Sequence, residues 1–337
     1  MLAGGEGTRL RPLTYTTPKP LLPIANRPFL EHQLAWLAGH GVDEVVLSLG
    51  YRPDAFAGRF PDGVFYPGTP RTPGAGVRLR YAVEPEPLGT AGAIRFAASG
   101  LEGGRLIVCN GDILTDLDLS ALVRFHTERG AEATIALTRV EDPSAFGVVP
   151  TDEDGRVLGF VEKPAPGAAP TDWVNAGTYV LEASVLDAIP DGRAVSIERE
   201  TFPGLLEQGR SLYAMPSPAY WLDIGTPAKY LQANADLLAG RTMLAAPDSD
   251  VDPAADVTGS VVGARAEVGK GARVLRSVLL EGARVGPGAE VADSIIGAGA
   301  SVGDGAVVKD LSIVGPGAEV AAGARLAGAR LAGARLQ

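Results

Sequence analysis

An α/β domain with a mostly parallel sheet, followed by a triangular β-solenoid, is the fold class that the sequence predicts, and three observations carry it. Short apolar runs that read as strands alternate with helix-like runs through about residue 240. Aromatic residues stop altogether after Tyr230. From Val262 onward Val, Ile and Leu recur near every sixth position, and Gly follows many of them. A length of 337 residues suits two domains, and 46% hydrophobic with 21% charged residues excludes disorder, collagen and coiled coil for the bulk of the chain.

Residues 1–240 read as one α/β domain. Pro28 to Ala38 is helical, because Pro fits a first helical turn and Gly39 and Gly41 offer stops. Glu44 to Leu49 is a buried strand, Thr90 to Ala98 a helix, Leu106 to Cys109 a strand, Leu119 to Arg129 a helix and Thr134 to Leu137 a strand. In such sheets ligands sit beyond the carboxyl ends of strands, so the loops there are where chemistry is sought.

Residues 241–256, rich in Pro, Asp and Ala, read as a linker. Residues 257–337 carry the repeat: Val262, Val268 and Val274, then Val285 and Val291, then Ile296, Val302, Val308, Val314, Val320 and Leu326. Ser260-Val261-Val262, Ser277-Val278-Leu279, Ser294-Ile295-Ile296 and Ser312-Ile313-Val314 start 17, 17 and 18 residues apart, so three hexads make one coil. Stacked coils satisfy one another's backbone groups and bury a column of Val and Ile. The pattern resembles the left-handed parallel β-helix of hexapeptide-repeat proteins. Ala324 to Gln337 changes to a period of five, which leaves its place in the solenoid open.

Thirty Lys and Arg against forty Asp and Glu give a net charge of −10, which argues against a nucleic-acid or anionic-membrane surface. No apolar run reaches the roughly 18 residues of a membrane span, and no signal-peptide pattern opens the chain. Cys109, the single cysteine, suits a reducing compartment, and the expected location is cytoplasmic. His32, His40 and His126 read as helix-surface residues without a role.

The strongest local signal is Leu2-Ala3-Gly4-Gly5-Glu6-Gly7-Thr8-Arg9-Leu10-Arg11-Pro12, followed by Pro18-Lys19-Pro20. Glycines let backbone N–H groups approach phosphates without a Cβ in the way, and Arg9 and Lys19 supply countercharge. Leu10 stands where a dinucleotide fingerprint needs its third Gly, and no Gly-Lys-Ser/Thr follows at P-loop spacing. The stretch resembles, nearly position for position, the signature of sugar-1-phosphate nucleotidyltransferases. Further segments extend the likeness: Leu88-Gly89-Thr90-Ala91-Gly92, Asn110-Gly111-Asp112, Phe146-Gly147-Val148-Val149, Phe160-Val161-Glu162-Lys163-Pro164, Val174-Asn175-Ala176-Gly177 and Trp221-Leu222-Asp223-Ile224-Gly225.

That resemblance implies a Rossmann-like nucleotidyltransferase domain with a mostly parallel mixed sheet. It also implies roles. Leu2, Ala3, Gly4, Gly5, Gly7, Thr8, Gly89 and Thr90 would hold the nucleotide, while Gly147, Glu162 and Asn175 would hold the sugar. Arg9 and Lys19 would steady the triphosphate, Lys163 the sugar phosphate, and Asp112 and Asp223 a Mg²⁺ ion. The implied reaction joins a nucleoside triphosphate to a sugar-1-phosphate and releases pyrophosphate. Asn26 to Leu30, Val195 to Pro203 and Gly225-Thr226-Pro227 look most like the mannose-1-phosphate guanylyltransferases, giving GTP and mannose-1-phosphate as expected substrates.

Glucose-1-phosphate thymidylyl- or uridylyltransferases and heptose-1-phosphate guanylyltransferases share most of these residues and stay open, as does a noncatalytic regulatory or scaffold subunit. Acyl transfer by the solenoid is disfavoured, since no His lies beyond residue 126. Its expected job is to build a homo-oligomer and brace the catalytic domain. Relatives carry a few apolar residues ahead of Leu-Ala-Gly-Gly, so a first strand starting at Met1 is expected to leave its neighbours' ladder groups poorly paired.

Overall fold

The computed structural model describes residues 1–67, 76–101 and 104–333. Contacts divide the chain into two compact units, one of Met1–Gly5 with Gln33–Trp221 and one of Glu6–His32 with Leu222–Gln337. Helix α1 spans Phe29–Gly39.

In the first unit, strand β1 (Glu44–Leu49) pairs in parallel with β2 (Val77–Val83). Strand β3 (Arg105–Cys109) lies antiparallel to the ten-residue β5 (Trp173–Glu182), and β5 lies antiparallel to β4 (Ala133–Arg139), which pairs in parallel with β6 (Leu212–Pro216). The sheet is therefore mixed. Helices α2 (Gly89–Ala98) and α3 (Leu119–Glu128) fall where the apolar periodicity put them. The core gathers Ile135, Leu137, Tyr179, Leu181 and Phe202, each no more than 1% exposed.

Between β1 and β3 Leu2 makes parallel bridges to Ser48 and Asn110. Leu2 N–H donates to Cys109 at 2.9 Å, Ala3 N–H to Ser48 at 2.9 Å, and the Met1 ammonium to Val46 at 2.9 Å. Beyond Met1 the two strand edges flank a cavity of about 480 Å³ lined by Leu37, Val45, Ile94, Leu106 and Ile107 among others.

In the second unit, three faces of parallel strands stack into the solenoid. One face aligns Val262, Leu279, Ile296, Val314 and Leu331, another Val268, Val285, Val302 and Val320, and the third Val257, Val274, Val291, Val308 and Leu326. The periodic serines form a ladder of their own: Ser277 N–H donates to Ser260 Oγ at 3.0 Å and Ser294 N–H to Ser277 Oγ at 3.1 Å. The 18-residue step has a local cause. Single residues with positive φ, Arg276 and Asp293, turn the earlier corners, whereas Asp310 and Leu311 together turn the last one.

Residues 241–256 are not a linker. Met243–Ala245 pairs with Ser260–Val262 and Asp250–Val251 with Glu267–Val268, so this stretch is the first coil, its Pro and Asp serving as corners. At the other end Arg325–Ala327 and Arg330–Leu331 still pair in register, and the last four residues of the period-five stretch lie outside the described residues.

Candidate functional site

Two clusters of the expected residues form, one in each unit. In the first unit the glycine loop begins where β1 and β3 end. A Cβ at Gly111 would stand 2.6 Å from the Leu2 carbonyl oxygen, and one at Gly4 3.0 Å from the Gly50 nitrogen, so glycine is required for these close approaches. Glu84 secures the loop from below, accepting from the Ser48 hydroxyl at 2.8 Å and from Leu88 N–H at 3.1 Å.

Gly147 and Glu162 face each other across a two-residue ladder, and a Cβ at Gly147 would lie 3.1 Å from Glu162 Oε2. Lys163, with φ of 47°, is anchored by its N–H to the Phe146 carbonyl at 3.0 Å, with Nζ 3.9 Å from Glu162 Oε1. Arg199 reaches the same Glu162 oxygen at 3.3 Å. Asn175 sits at the start of an irregularity in β5, where its register with β4 shifts before Tyr179. Its Oδ1 accepts from Gly177 N–H at 2.9 Å, and its Nδ2 donates to the Tyr179 hydroxyl at 2.8 Å.

Tyr179 in turn donates to Glu198 at 3.3 Å, and Glu198 also accepts from Thr90 and Ser196, both at 3.0 Å. Burial, reinforced by Glu198 and Asp112, pushes the Tyr179 hydroxyl well above its ordinary pKa and keeps it a proton donor. Glu198 lies in a π-helical turn, Ile197–Thr201, capped by Ser196, whose Oγ accepts from Arg199 N–H at 3.2 Å. Gly89, with φ of 68°, packs on Val195, where a Cβ would come within 2.6 Å of the carbonyl oxygen. Leu88 with the first turn of α2, through Gly92, and the Val195 to Glu198 segment thus form one clamp joining Thr90 to Asn175.

Asn110, Tyr179, Glu198 and Arg199 lie in segments that carry the resemblance, but the sequence alone assigns none of them a role. The signal available for two of them was Ser196-Ile197-Glu198-Arg199-Glu200, a cap followed by alternating charges.

The second unit brings together Gly7, Arg9, Lys19 and Asp223. Gly7 has φ of 62°, and a Cβ there would press on Lys19 and Thr14 at 3.0 Å each. The Thr14 hydroxyl donates to the Gly7 carbonyl at 3.0 Å. Thr8 and Arg9 occupy the short helical turn Thr8–Leu10. Lys19 is only 7% exposed, with Nζ 3.8 Å from Asp223 Oδ1, and that oxygen accepts from Gly225 N–H at 2.8 Å. Arg9 lies over Gly225, where any Cβ would meet its guanidinium.

Among the described residues no group of three or more His, Cys, Asp or Glu could hold a metal alone. Asp112 and Asp223 are hard oxygen donors of the kind that take one or two places on Mg²⁺ and leave the rest to phosphate and water.

A glycine loop with paired cations, and a second set of groups suited to hydroxyls and a phosphate, is what phosphate-transfer between two anionic substrates requires. The nucleotidyl transferase family model matches residues 1–240, and the GMPPB C-terminal domain model matches residues 240–333. The chain belongs to the nucleotidyl transferase family. Among curated relatives, the mannose-1-phosphate guanylyltransferase of Mycobacterium tuberculosis is 43% identical over 81% of this chain and 77% of its own length. The mannose-1-phosphate guanylyltransferase catalytic subunit beta of Drosophila melanogaster is 38% identical over 81% of this chain and 71% of its own. Among solved structures, HddC from Yersinia pseudotuberculosis superposes with a TM-score of 0.59 at 30% identity, covering 70% of this chain and 97% of that one, and it has also been solved complexed with GMP-PN. Family members have this α/β domain, and here a parallel β-solenoid follows it.

His126 departs from expectation. It is fully buried on α3, with ring nitrogens 2.8 Å from Thr134 Oγ1 and 3.0 Å from Glu182 Oε1, and burial pushes its pKa down against the pull of Glu182. Its role is to join α3 to β4 and β5. Among the described residues no helix is long and apolar enough to cross a membrane.

Proposed function

We propose that this enzyme transfers GMP from GTP to mannose-1-phosphate, releasing pyrophosphate and forming GDP-mannose. The observation that carries the substrate pair is the 43% identity, over most of both chains, to a protein named for that reaction. Guanine is further supported by the GMP-PN complex of the solved neighbour.

In the reaction a phosphate oxygen of the sugar attacks the α-phosphorus of GTP, a P–O bond forms there, and the bond from the α-phosphorus to the bridging oxygen of pyrophosphate breaks. No covalent enzyme intermediate is needed, because the nucleophile is already an anion. The protein must overcome repulsion between substrates and neutralise the charge growing on pyrophosphate. Arg9 and Lys19 steady the triphosphate, with Lys19 held in place by its burial against Gly7. Lys163 holds the sugar phosphate, and Glu162 and Asn175 accept and donate to sugar hydroxyls beside the open backbone of Gly147. Leu2, Ala3, Gly4, Gly5, Gly7, Thr8, Gly89 and Thr90 form the nucleotide's bed. Asp112 and Asp223 are the carboxylates assigned to Mg²⁺, which when bound supplies countercharge to phosphate oxygens.

A cytoplasmic location suits Cys109, buried and unpaired, with burial pushing its thiol up to about 11. Open-ended stacks of coils need a cap or a partner, which supports a homo-oligomer assembled through the solenoid. Pyrophosphate release measured over four nucleoside triphosphates crossed with mannose-, glucose- and heptose-1-phosphates tests the substrate choice. GTP with mannose-1-phosphate is expected to lead, and a preference for dTTP or UTP with glucose-1-phosphate overturns it.

A further inference from the structure

We propose that the solenoid is a positioning element for the triphosphate-holding cations, acting through two of its coils on the segment that carries Arg9 and Lys19. The inference rests on the assignment of those two side chains to the triphosphate.

Glu6–His32 belongs to the same compact unit as the solenoid. Its first attachment is Pro12, three residues after Arg9. The ring lies directly against Gly315, where a Cβ would stand 2.7 Å from Pro12 Cγ and 3.0 Å from Pro12 Cβ. Gly315 is itself fixed, its N–H donating to the Leu331 carbonyl at 2.7 Å in the next coil.

The second attachment is a tight hairpin, Pro23–Ile24 paired with Arg27–Pro28, whose turn residues Ala25 and Asn26 have φ of 50° and 62°. Asn26 Nδ2 donates to the Val262 carbonyl of the solenoid at 2.8 Å. Ala25 N–H donates to Asn234 Oδ1 at 2.9 Å, on helix α4 (Pro227–Leu237), and the Tyr230 hydroxyl of the same helix donates to the Pro23 carbonyl.

Between the two attachments the chain has little slack. Leu10, Leu13 and Thr14 are essentially fully buried, and Pro18, Pro20 and Pro23 restrict the backbone around Lys19. A contact made by the fifth coil and a hydrogen bond made by the second therefore fix the path of a loop whose cations must meet developing charge to within a fraction of an ångström. Displacement by 1 Å can cost roughly 10²-fold in rate. A solenoid serving only for stability or assembly requires neither Pro12 nor Asn26 to matter for turnover.

The test uses the full-length protein. Asn26→Gly keeps the positive φ and deletes the bond to Val262, Pro12→Ala deletes the ring, and Gly315→Ala pushes on it. Gly286→Ala is the control: its Cβ would stand 2.9 Å from Asp304 N and 3.1 Å from Gly303 C, straining the third coil against the fourth, away from the coils that hold Pro12 and Asn26. The first three are expected to lower kcat about tenfold or more with the KM for sugar phosphate within twofold. Gly286→Ala is expected to lower the thermal midpoint while leaving kcat near that of the parent. Combining Asn26→Gly with Arg9→Ala should add little to the loss from Arg9→Ala alone. Unchanged kcat in Asn26→Gly and Pro12→Ala, or equal kcat losses in Gly315→Ala and Gly286→Ala, overturns the positioning role. A fully active Arg9→Ala instead overturns the assignment of the cation, which separates the two failures.

Discussion

The Thr90 hydroxyl donates to a Glu198 carboxylate oxygen at 3.0 Å, joining residues 108 apart in sequence. The direction of that bond is fixed because a carboxylate only accepts, and Thr90 Oγ1 in turn accepts from Ile197 N–H at 2.8 Å. Tyr179 is in the same position, accepting from Asn175 Nδ2 at 2.8 Å and donating to Glu198. Glu198 therefore orients Thr90, proposed for the nucleotide, and, through Tyr179, Asn175, proposed for the sugar, by accepting from the Thr90 and Tyr179 hydroxyls.

Glu198→Ala removes the acceptor of both hydroxyls, and a buried donor left unpaired typically costs about 1–3 kcal/mol. The expected outcome is higher KM for both substrates. Tyr179→Phe breaks only the branch to Asn175, so it should raise the KM for sugar phosphate about tenfold and leave that for nucleotide within twofold. Steady-state kinetics with each substrate varied in turn checks this, and equal effects of Tyr179→Phe on both substrates would count against the branching.

Arg9 and Lys163 should separate kinetically, since they lie in different units and are assigned to different phosphates. Arg9→Ala is expected to depress kcat by roughly the 10²- to 10³-fold typical of removing one electrostatic stabiliser. Lys163→Ala, at an exposed side chain beside Glu162, is expected to raise the KM for sugar phosphate more than that for nucleotide. Small and equal effects would leave both assignments unsupported.

The solenoid was legible because its period repeats a physical need at every coil: Val262, Val268 and Val274 recur inward because each strand buries one apolar side chain against the coils above and below. The alanines between them were not legible. Ala266, Ala283, Ala300 and Ala318 are at most 3% exposed and belong to the same column, but Ala is common enough on surfaces to carry no signal. The first coil was read as a linker for the related reason that Pro and Asp mark corners as readily as loose connections. In the catalytic half, motifs located the residues that would touch substrate. Their supports, Tyr179 and Glu198, are joined by tertiary hydrogen bonds that leave no periodic trace in the sequence.

Metal dependence follows from the donor set. With no group of three or more acidic, His or Cys side chains among the described residues that could hold an ion, affinity should rest on substrate phosphates, so chelator is expected to abolish turnover and added Mg²⁺ to restore it at once. Asp112→Asn and Asp223→Asn should each raise the Mg²⁺ concentration needed for half-maximal rate by tenfold or more. Full activity in excess chelator would remove the metal from the reaction.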